Sequence, residues 1–392
     1  MENKVPDIRF DGYDEEWQPK KFSEFAHRVG QTTYDASIPS VEFEDINSKR
    51  GTLNKNIFAK DIHKTGLSFE IADVLYGKLR PYLGNVLLAD FKGIAVGDFW
   101  VLRANDVTPS FLYQFVLSET FGKIANISRG SKMPRASWEN INQSAFKIPS
   151  YNESNDIAKM LSSIDSLITK QEGVIGKLKI LKTSFLQVLF PQGLEKRPRL
   201  RLDGFTDDWQ EKTLSEIVAP YKEIVSTPKN GYERLGIRSH GKGTFHSFIP
   251  KGAELESAQM SIVRANNLIV NITFGWELAV AITQDEDEGK LVSHRFPQFS
   301  FNEDYISLFF RFCLINENLR KHLVLASPGS AGRNRVLKID KMLEYKLLVP
   351  KKDEQQAIAD LLTEYDSLIR LNEQKLEKLR NVKQALLDKM FV

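Results

Sequence analysis

Apolar residues recur at heptad spacing over the two stretches that close each half of the chain. Within 150–190, Ile157, Ile164, Leu178 and Phe185 fall in one seven-residue column, and Met160, Leu167, Val174, Leu181 and Val188 in a second. Within 351–392 the matching columns hold Ile358, Tyr365, Leu379 and Leu386, then Leu361, Leu368 and Val382. Leu362, Ile369 and Leu376 widen the stripe where Lys375 and Lys389 interrupt it. Such a two-column seam predicts long helices that pack on one another, each about 60 Å if wholly helical. One polar residue breaks the first column in each copy, Gln171 and Asn372. A buried polar residue in a seam fixes register at some cost in stability, and antiparallel pairing with a Gln171–Asn372 contact is expected.

The two stretches are copies. IAKMLSSIDSLITKQEGVIGKLKILKTSFLQVLF at 157–190 lies over IADLLTEYDSLIRLNEQKLEKLRNVKQALLDKMF at 358–391, at an offset of 201 residues. A second pair opens each half: PDIRFDGYDEEWQPKKFSEF at 6–25 lies over PRLRLDGFTDDWQEKTLSEI at 198–217, at an offset of 192. Arg9, Asp11, Gly12, Trp17 and Gln18 recur as Arg201, Asp203, Gly204, Trp209 and Gln210. The middles, roughly 26–148 and 218–349, share little. Self-similarity of this kind decides the architecture before any single motif does. The expected domains are 1–149, a repeated segment plus variable domain; 150–190, a long helix; 191–199, a linker carrying Pro191 and Gly193; 200–350, a second variable domain; and 351–392, the second long helix. Mixed strands and short helices between the frames make the fold class α+β.

Composition narrows the function. The chain is 42% hydrophobic and 27% charged, with a net charge of +3 and a pI near 8.6. This is mildly basic, so any nucleic-acid surface must gather its charge locally. The lone Cys313, in the apolar run LFFRFCLI, excludes an intramolecular disulfide and reads as a structural thiol. The N-terminus has no apolar signal core, and the most apolar stretch, 268–282, is too interrupted to span a bilayer. A cytoplasmic location without membrane contact is expected.

The order of parts, DG-aromatic-x-x-x-W, variable domain, long helix ending in F-P-Q-G, then the same again as far as the Phe, resembles the specificity subunits of type I restriction–modification systems along essentially the whole chain. SRGSKMPRASW at 128–138 and the strands within NQSAFKIP and LEYKLLVP ahead of each helix extend the match. The resemblance implies two target-recognition domains, each reading one half of a split double-stranded DNA site. It implies helices paired with internal pseudo-two-fold symmetry, which set the half-site spacing and dock two methyltransferase subunits, with restriction/translocase subunits in the full complex. No cofactor is expected on this chain; S-adenosylmethionine, ATP and magnesium would belong to the partner subunits. Two alternatives are a recognition subunit of a related modification or defence system and a coiled-coil scaffold that binds no DNA.

Base reading needs side chains on base edges and others on phosphates. In the first domain, GKLRPYLGN at 77–85 offers Lys78, Arg80, Tyr82 and Asn85, and SRGSKMPR at 128–135 offers Arg129, Ser131, Lys132 and Arg135. In the second, GIRSHGKGTFH at 236–246 offers Arg238, Ser239, His240, Lys242 and Thr244, and ASPGSAGRNR at 326–335 offers Ser330, Arg333, Asn334 and Arg335. Tyr82 and Trp276 read as packing residues, and Asn271 and Thr273 as parts of a buried strand.

Enzyme motifs fail on their own chemistry. GIRSHGKG has the spacing of a phosphate loop, but Gly243 stands where a magnesium-binding hydroxyl is required. Glu344 and Lys346 have a nuclease-like spacing, yet the Pro-Asp pair, Pro6-Asp7, lies in the repeated frame. An adenine methyltransferase needs Asn-Pro-Pro-aromatic, and the chain has no Pro-Pro. The histidines are not paired at zinc-ligand spacing, so no metal site is expected. A non-catalytic subunit is the expectation.

Overall fold

A computed structural model describes residues 5–59, 64–127, 133–192, 195–253, 259–329 and 335–392. The chain divides into two compact units, Met1–Ile175 with Asn372–Val392, and Gly176–Leu371. Each long helix, Tyr151–Val188 and Lys352–Lys389, therefore contributes one part to each unit.

The first unit holds an antiparallel four-stranded sheet in the order Ala26–Val29, Phe99–Ala104, Val74–Gly77, Val86–Leu88. A second sheet runs Thr32–Thr33, Gly66–Phe69, Gly93–Val96, Ser40–Glu42, its last pair parallel. The repeated frame closes the domain. Gln18–Lys21, just after the DG-aromatic motif, pairs antiparallel with Ala145–Ile148, the strand that precedes the long helix. The second unit repeats this plan. Its first sheet runs Val218–Tyr221, Gln298–Phe301, Asn267–Val270, Val280–Ile282, and Gln210–Thr213 pairs with Lys346–Val349.

The repeated side chains prove to be anchors. Trp17 and Trp209 are buried in their respective cores. Arg9 donates to Glu153 in a bidentate pair, Nε–Oε1 2.7 Å and Nη2–Oε2 2.9 Å, and Arg201 does the same with Glu354 at 2.8 Å for both bonds. Each pair ties the opening motif to the first turn of the long helix that follows it. Gly12 and Gly204 turn the chain at φ +91° in both copies, a conformation glycine takes without a Cβ penalty. The closing phenylalanines cross over. Phe391, the end of the second helix, packs on Phe111 and Phe115 of the first unit, whereas Phe190, the end of the first helix, packs on Trp209 and Phe309 of the second.

Helix pairing is antiparallel within each unit. In the first, Lys383 meets Asp165 at 2.6 Å, and Gln171 Nε2 donates to Asn372 Oδ1 at 2.6 Å. In the second, Lys182 donates to Asp366, and Phe185 lies 5.2 Å from Tyr365. The buried and half-buried series runs 157, 161, 164, 168, 171, 175, 178, 182, 185, 189, and 358, 362, 365, 369, 372, 376, 379, 383, 386, 390. The first heptad column stands as read from the sequence, but the second lies one residue further on. Leu167, Val174, Leu181, Leu368 and Val382 are 39–51% exposed, and Leu361 is half-buried. The physical reason is Lys182 and Lys383. In the first copy the column read from the sequence is unbroken, whereas the one beside it holds Lys182, with Lys383 at the equivalent place in the second copy; each ammonium is neutralised by an aspartate of the facing helix, so Lys383 sits only 7% exposed.

Candidate nucleic-acid interface

In the first unit, two of the sequence-chosen segments converge with a third. The chain leaves strand Val74–Gly77, makes a short 3-10 turn at Pro81–Leu83 and returns in Val86–Leu88. The segment 133–136 zips onto this loop: Lys78 O accepts from Ala136 N at 2.9 Å, Arg80 N donates to Pro134 O at 2.7 Å, and Leu79 bridges Arg135. A hairpin, Ile46–Asn47 with Thr52–Leu53, docks on the other flank through Lys49 N donating to Gly84 O at 2.8 Å. Sequence reasoning missed this hairpin, although Ser48-Lys49-Arg50-Gly51 has the same basic, glycine-marked character as the chosen loops.

The side chains divide by role. Arg80, at φ +48°, and Tyr82, 53% exposed, stand at the loop tip. Tyr82 is therefore not a packing residue. Arg80 and Lys49 have no side-chain hydrogen bond or ion pair among the described residues, so their charge is available to an anion. Lys78 and Arg135 are instead held on Asp98, at 3.6 and 3.0 Å. Asn85 is 5% exposed, accepts from the Ser48 hydroxyl, and braces the hairpin rather than facing solvent. Arg50 turns to Glu172 of the long helix at 3.2 Å.

The second unit reproduces this scaffold with different side chains. Strand Asn267–Val270 leads through the 3-10 turn Gly275–Glu277 to strand Val280–Ile282. Gly77 N donates to Asn85 O, and Asn271 N to Ala279 O; Leu83 N donates to Arg80 O, and Glu277 N to Phe274 O; Gly84 N donates to Pro81 O, and Leu278 N to Gly275 O. Gly84 and Leu278 share the left-handed conformation, at φ +62° and +58°. The loops thus match without a gap at an offset of 194. The flanks match too. Gly241 N donates to Leu278 O at 2.9 Å, as Lys49 does to Gly84, and Leu337 N donates to Ile272 O at 2.9 Å, as Ala136 does to Lys78.

The chosen segment 236–246 is therefore the counterpart of the 46–53 hairpin, and the counterpart of 77–85 is 271–279. Phe274, 42% exposed, occupies the position of Arg80, and half-buried Trp276 that of Tyr82. Arg295, whose carbonyl takes the Ile272 N–H as Asp98 takes that of Lys78, puts an exposed cation where the first unit has a carboxylate. Lys242 and His240 are exposed on the hairpin, His240 at φ +64°. Ser239 donates to Glu277 at 2.6 Å, Thr244 to Asp287 at 3.1 Å, and Arg238 lies over the Phe245 ring, so these three brace the hairpin. Arg335 lies over Trp276 at 5.4 Å. Arg129, Ser131, Lys132, Ser330, Arg333 and Asn334 lie outside the described residues.

The rejected enzyme readings gain no geometry. The near phosphate loop is a strand hairpin, Tyr232–Ile237 with Thr244–Ile249, not a strand entering a helix. Glu344 pairs with Lys341, and Lys346 with Glu211. Burial pushes the Cys313 thiol well above its ordinary range, away from nucleophilic use. Among the described residues no cluster of acidic, histidine or cysteine side chains could hold a metal ion, and no helix is long and apolar enough to cross a membrane.

Comparison with known proteins agrees with this duplicated plan. The MjaVIII type I restriction enzyme specificity subunit of Methanocaldococcus jannaschii is 24% identical over 315 residues, 76% of this chain and 73% of its own length. A putative MjaX specificity subunit from the same organism is 21% identical over 372 residues, covering 89% and 85%. The crystal structure of a type I restriction–modification S subunit from M. genitalium shares the fold, with a TM-score of 0.59 at 15% identity over 99% of both chains. A chain from a structural study of type I system assembly and conformational transition gives 0.52, at 15% identity over 95% of this chain and 97% of that one. Residues 14–179 and 206–381 each match the type I restriction modification DNA specificity domain, so the chain belongs to that family.

Proposed function

We propose that this protein supplies the DNA sequence specificity of a type I restriction–modification complex, each unit reading one half of a bipartite, asymmetric site. The observation that carries this reading is the duplicated surface: one hydrogen-bonded scaffold of loop, hairpin and bridging segment, built twice and dressed with different exposed side chains. Related modules with unlike tips suit a site whose halves differ in sequence, and module spacing then dictates half-site spacing. The paired helices serve as that spacer, and their outward apolar column of Leu167, Val174, Leu181, Leu368 and Val382 suits the docking of two methyltransferase subunits. Methyl transfer and cleavage, with S-adenosylmethionine, ATP and magnesium, belong in this reading to the partners, and the complex acts in the cytoplasm.

The test is co-expression with the cognate methyltransferase, followed by mapping of methylated adenines. A single interrupted motif is expected. Binding to that motif should weaken with salt, log K falling by about 0.9 per phosphate neutralised for each log unit of salt. Lys49→Ala should lower that slope by about 0.9 and weaken all duplexes alike. A salt-independent response with no preferred duplex would support a protein-only scaffold instead.

A further inference from the structure

The gapless match between 77–85 and 271–279 has a consequence for the two half-sites. At the residue that precedes the 3-10 turn, the first unit presents Arg80 and the second presents Phe274. Both are exposed, and both have the following turn closed onto them, through Leu83 N donating to Arg80 O at 2.9 Å and Glu277 N donating to Phe274 O at 3.0 Å. The flanking hairpin is fastened to the two loops by equivalent hydrogen bonds, and Ala136 N and Leu337 N bind the loop starts alike, so the two tips occupy the same place in their scaffolds. The backbone differs at the residue itself, Arg80 being left-handed at φ +48° and donating to Pro134 O, Phe274 lying at φ −124° and donating to Asn271 O. A guanidinium with no partner among the described residues and a phenyl ring meet very different features of a base edge. Arginine forks onto guanine O6 and N7 in the major groove, whereas an apolar ring meets the thymine C5-methyl.

We propose that Arg80 and Phe274 are equivalent specificity-determining residues, and that the two half-sites carry guanine and thymine respectively at the place each reads. This rests on the DNA-reading role proposed above and adds the position and the two bases. Phe274 is an exposed ring kept at the tip of a polar surface, in a loop whose own apolar packing is supplied by Gly275 against Leu337 and by buried Leu278. Its ring is not needed to fill the core, and a base methyl gives it something to cover.

The experiment is selection of duplexes from a randomised library by the full-length chain in complex with its methyltransferase subunits, followed by sequencing. Wild type should enrich one guanine and one thymine, one in each half of the motif. Phe274→Arg should convert the thymine position to guanine, with a preference of roughly 5- to 150-fold from a bidentate contact. Phe274→Ala should relax that position about fourfold, the worth of one buried methyl group, and leave its neighbours unchanged. Arg80→Phe should make the reciprocal change in the other half. The untouched half-site reports folding in every variant. An unchanged motif in Phe274→Arg, or a loss spread over the whole half-site in Phe274→Ala, overturns the inference and leaves the DNA-reading role standing. Failure of the wild type to enrich any interrupted motif overturns the role itself.

Discussion

The pair Arg9–Glu153 offers an asymmetric test of how the repeated motif holds each unit together. The Glu153 side chain is 1% exposed and that of Arg9 15% exposed, and they share two hydrogen bonds of 2.7 and 2.9 Å. Removing one partner of a buried pair costs about 3–5 kcal/mol, because the other charge is left without compensation. The burial here is unequal, so the costs should be unequal. Arg9→Ala strands a carboxylate that water does not reach and should cost about 4 kcal/mol. Glu153→Ala strands a guanidinium that retains the Glu15 carbonyl and partial access to water, and should cost about 2 kcal/mol. For a unit of this size each kcal/mol lowers Tm by about 2–4 °C, so the two variants should separate by about 4–8 °C. Replacing both residues, Arg9→Met with Glu153→Leu, removes both desolvated charges and should recover most of the loss. The assay is urea and thermal unfolding of the full chain followed by circular dichroism, arranged as a double-mutant cycle. Equal losses in the two single variants, or losses of no more than about 0.5 kcal/mol in both, would make the pair a surface ornament that does not hold the motif to the helix.

Three further outcomes follow from the same structure. Phe391→Ala, at the C-terminal end of the chain, should destabilise the first unit by about 3–5 kcal/mol, since the ring lies against Phe111 and Phe115; limited proteolysis should then cut within 5–175 before 176–371. Gln171→Leu alone should cost about 1–3 kcal/mol by removing the donor to Asn372 Oδ1, whereas Gln171→Leu with Asn372→Leu should be neutral or stabilising in urea unfolding. The Thr213 backbone and hydroxyl donate to Glu216 and hold its carboxyl below the usual 4.5. A depressed folded value means the contribution is present above pH 4.5 and is lost as pH falls through the folded value. Glu216→Gln should therefore flatten the acid side of the stability–pH profile and leave the neutral-to-basic side parallel to wild type.

What the sequence made legible depended on which physical quantity was duplicated. The frame could be read because its side chains recur: Trp17 and Trp209, and Arg9 and Arg201, each fill the same structural place in their copy, and Phe391 and Phe190 each close the core of the unit begun by the other copy. Glu153 and Glu354 recur as well, at the helix offset of 201, and asking which acid could answer the repeated arginine would have found them. The helix seam was half legible. Its second column was misassigned because burial there is sustained by Lys383–Asp165 and Lys182–Asp366, a charge pattern visible only when both copies are read against each other in opposite directions.

The loop of the second unit that corresponds to 77–85 was not legible at all, and the reason lies in its side chains. NITFGWELA carries one charge and no lysine or arginine, whereas the neighbouring GIRSHGKGT is rich in the chemistry expected of a DNA contact. Residue type therefore drew attention to the hairpin, although the pattern of backbone hydrogen bonds makes the apolar loop the counterpart of GKLRPYLGN. A scaffold alike in most of its main-chain bonds and free in its side chains leaves little sequence trace: Gly84 and Leu278 satisfy the same left-handed turn, and Arg80 and Phe274 stand at the same exposed corner with different backbone angles, φ +48° and −124°. That freedom is what a reader of varied sites requires. The residues free to differ from one unit to the other are those at the exposed corners of this scaffold, so the positions hardest to align by composition are the ones where specificity should be sought.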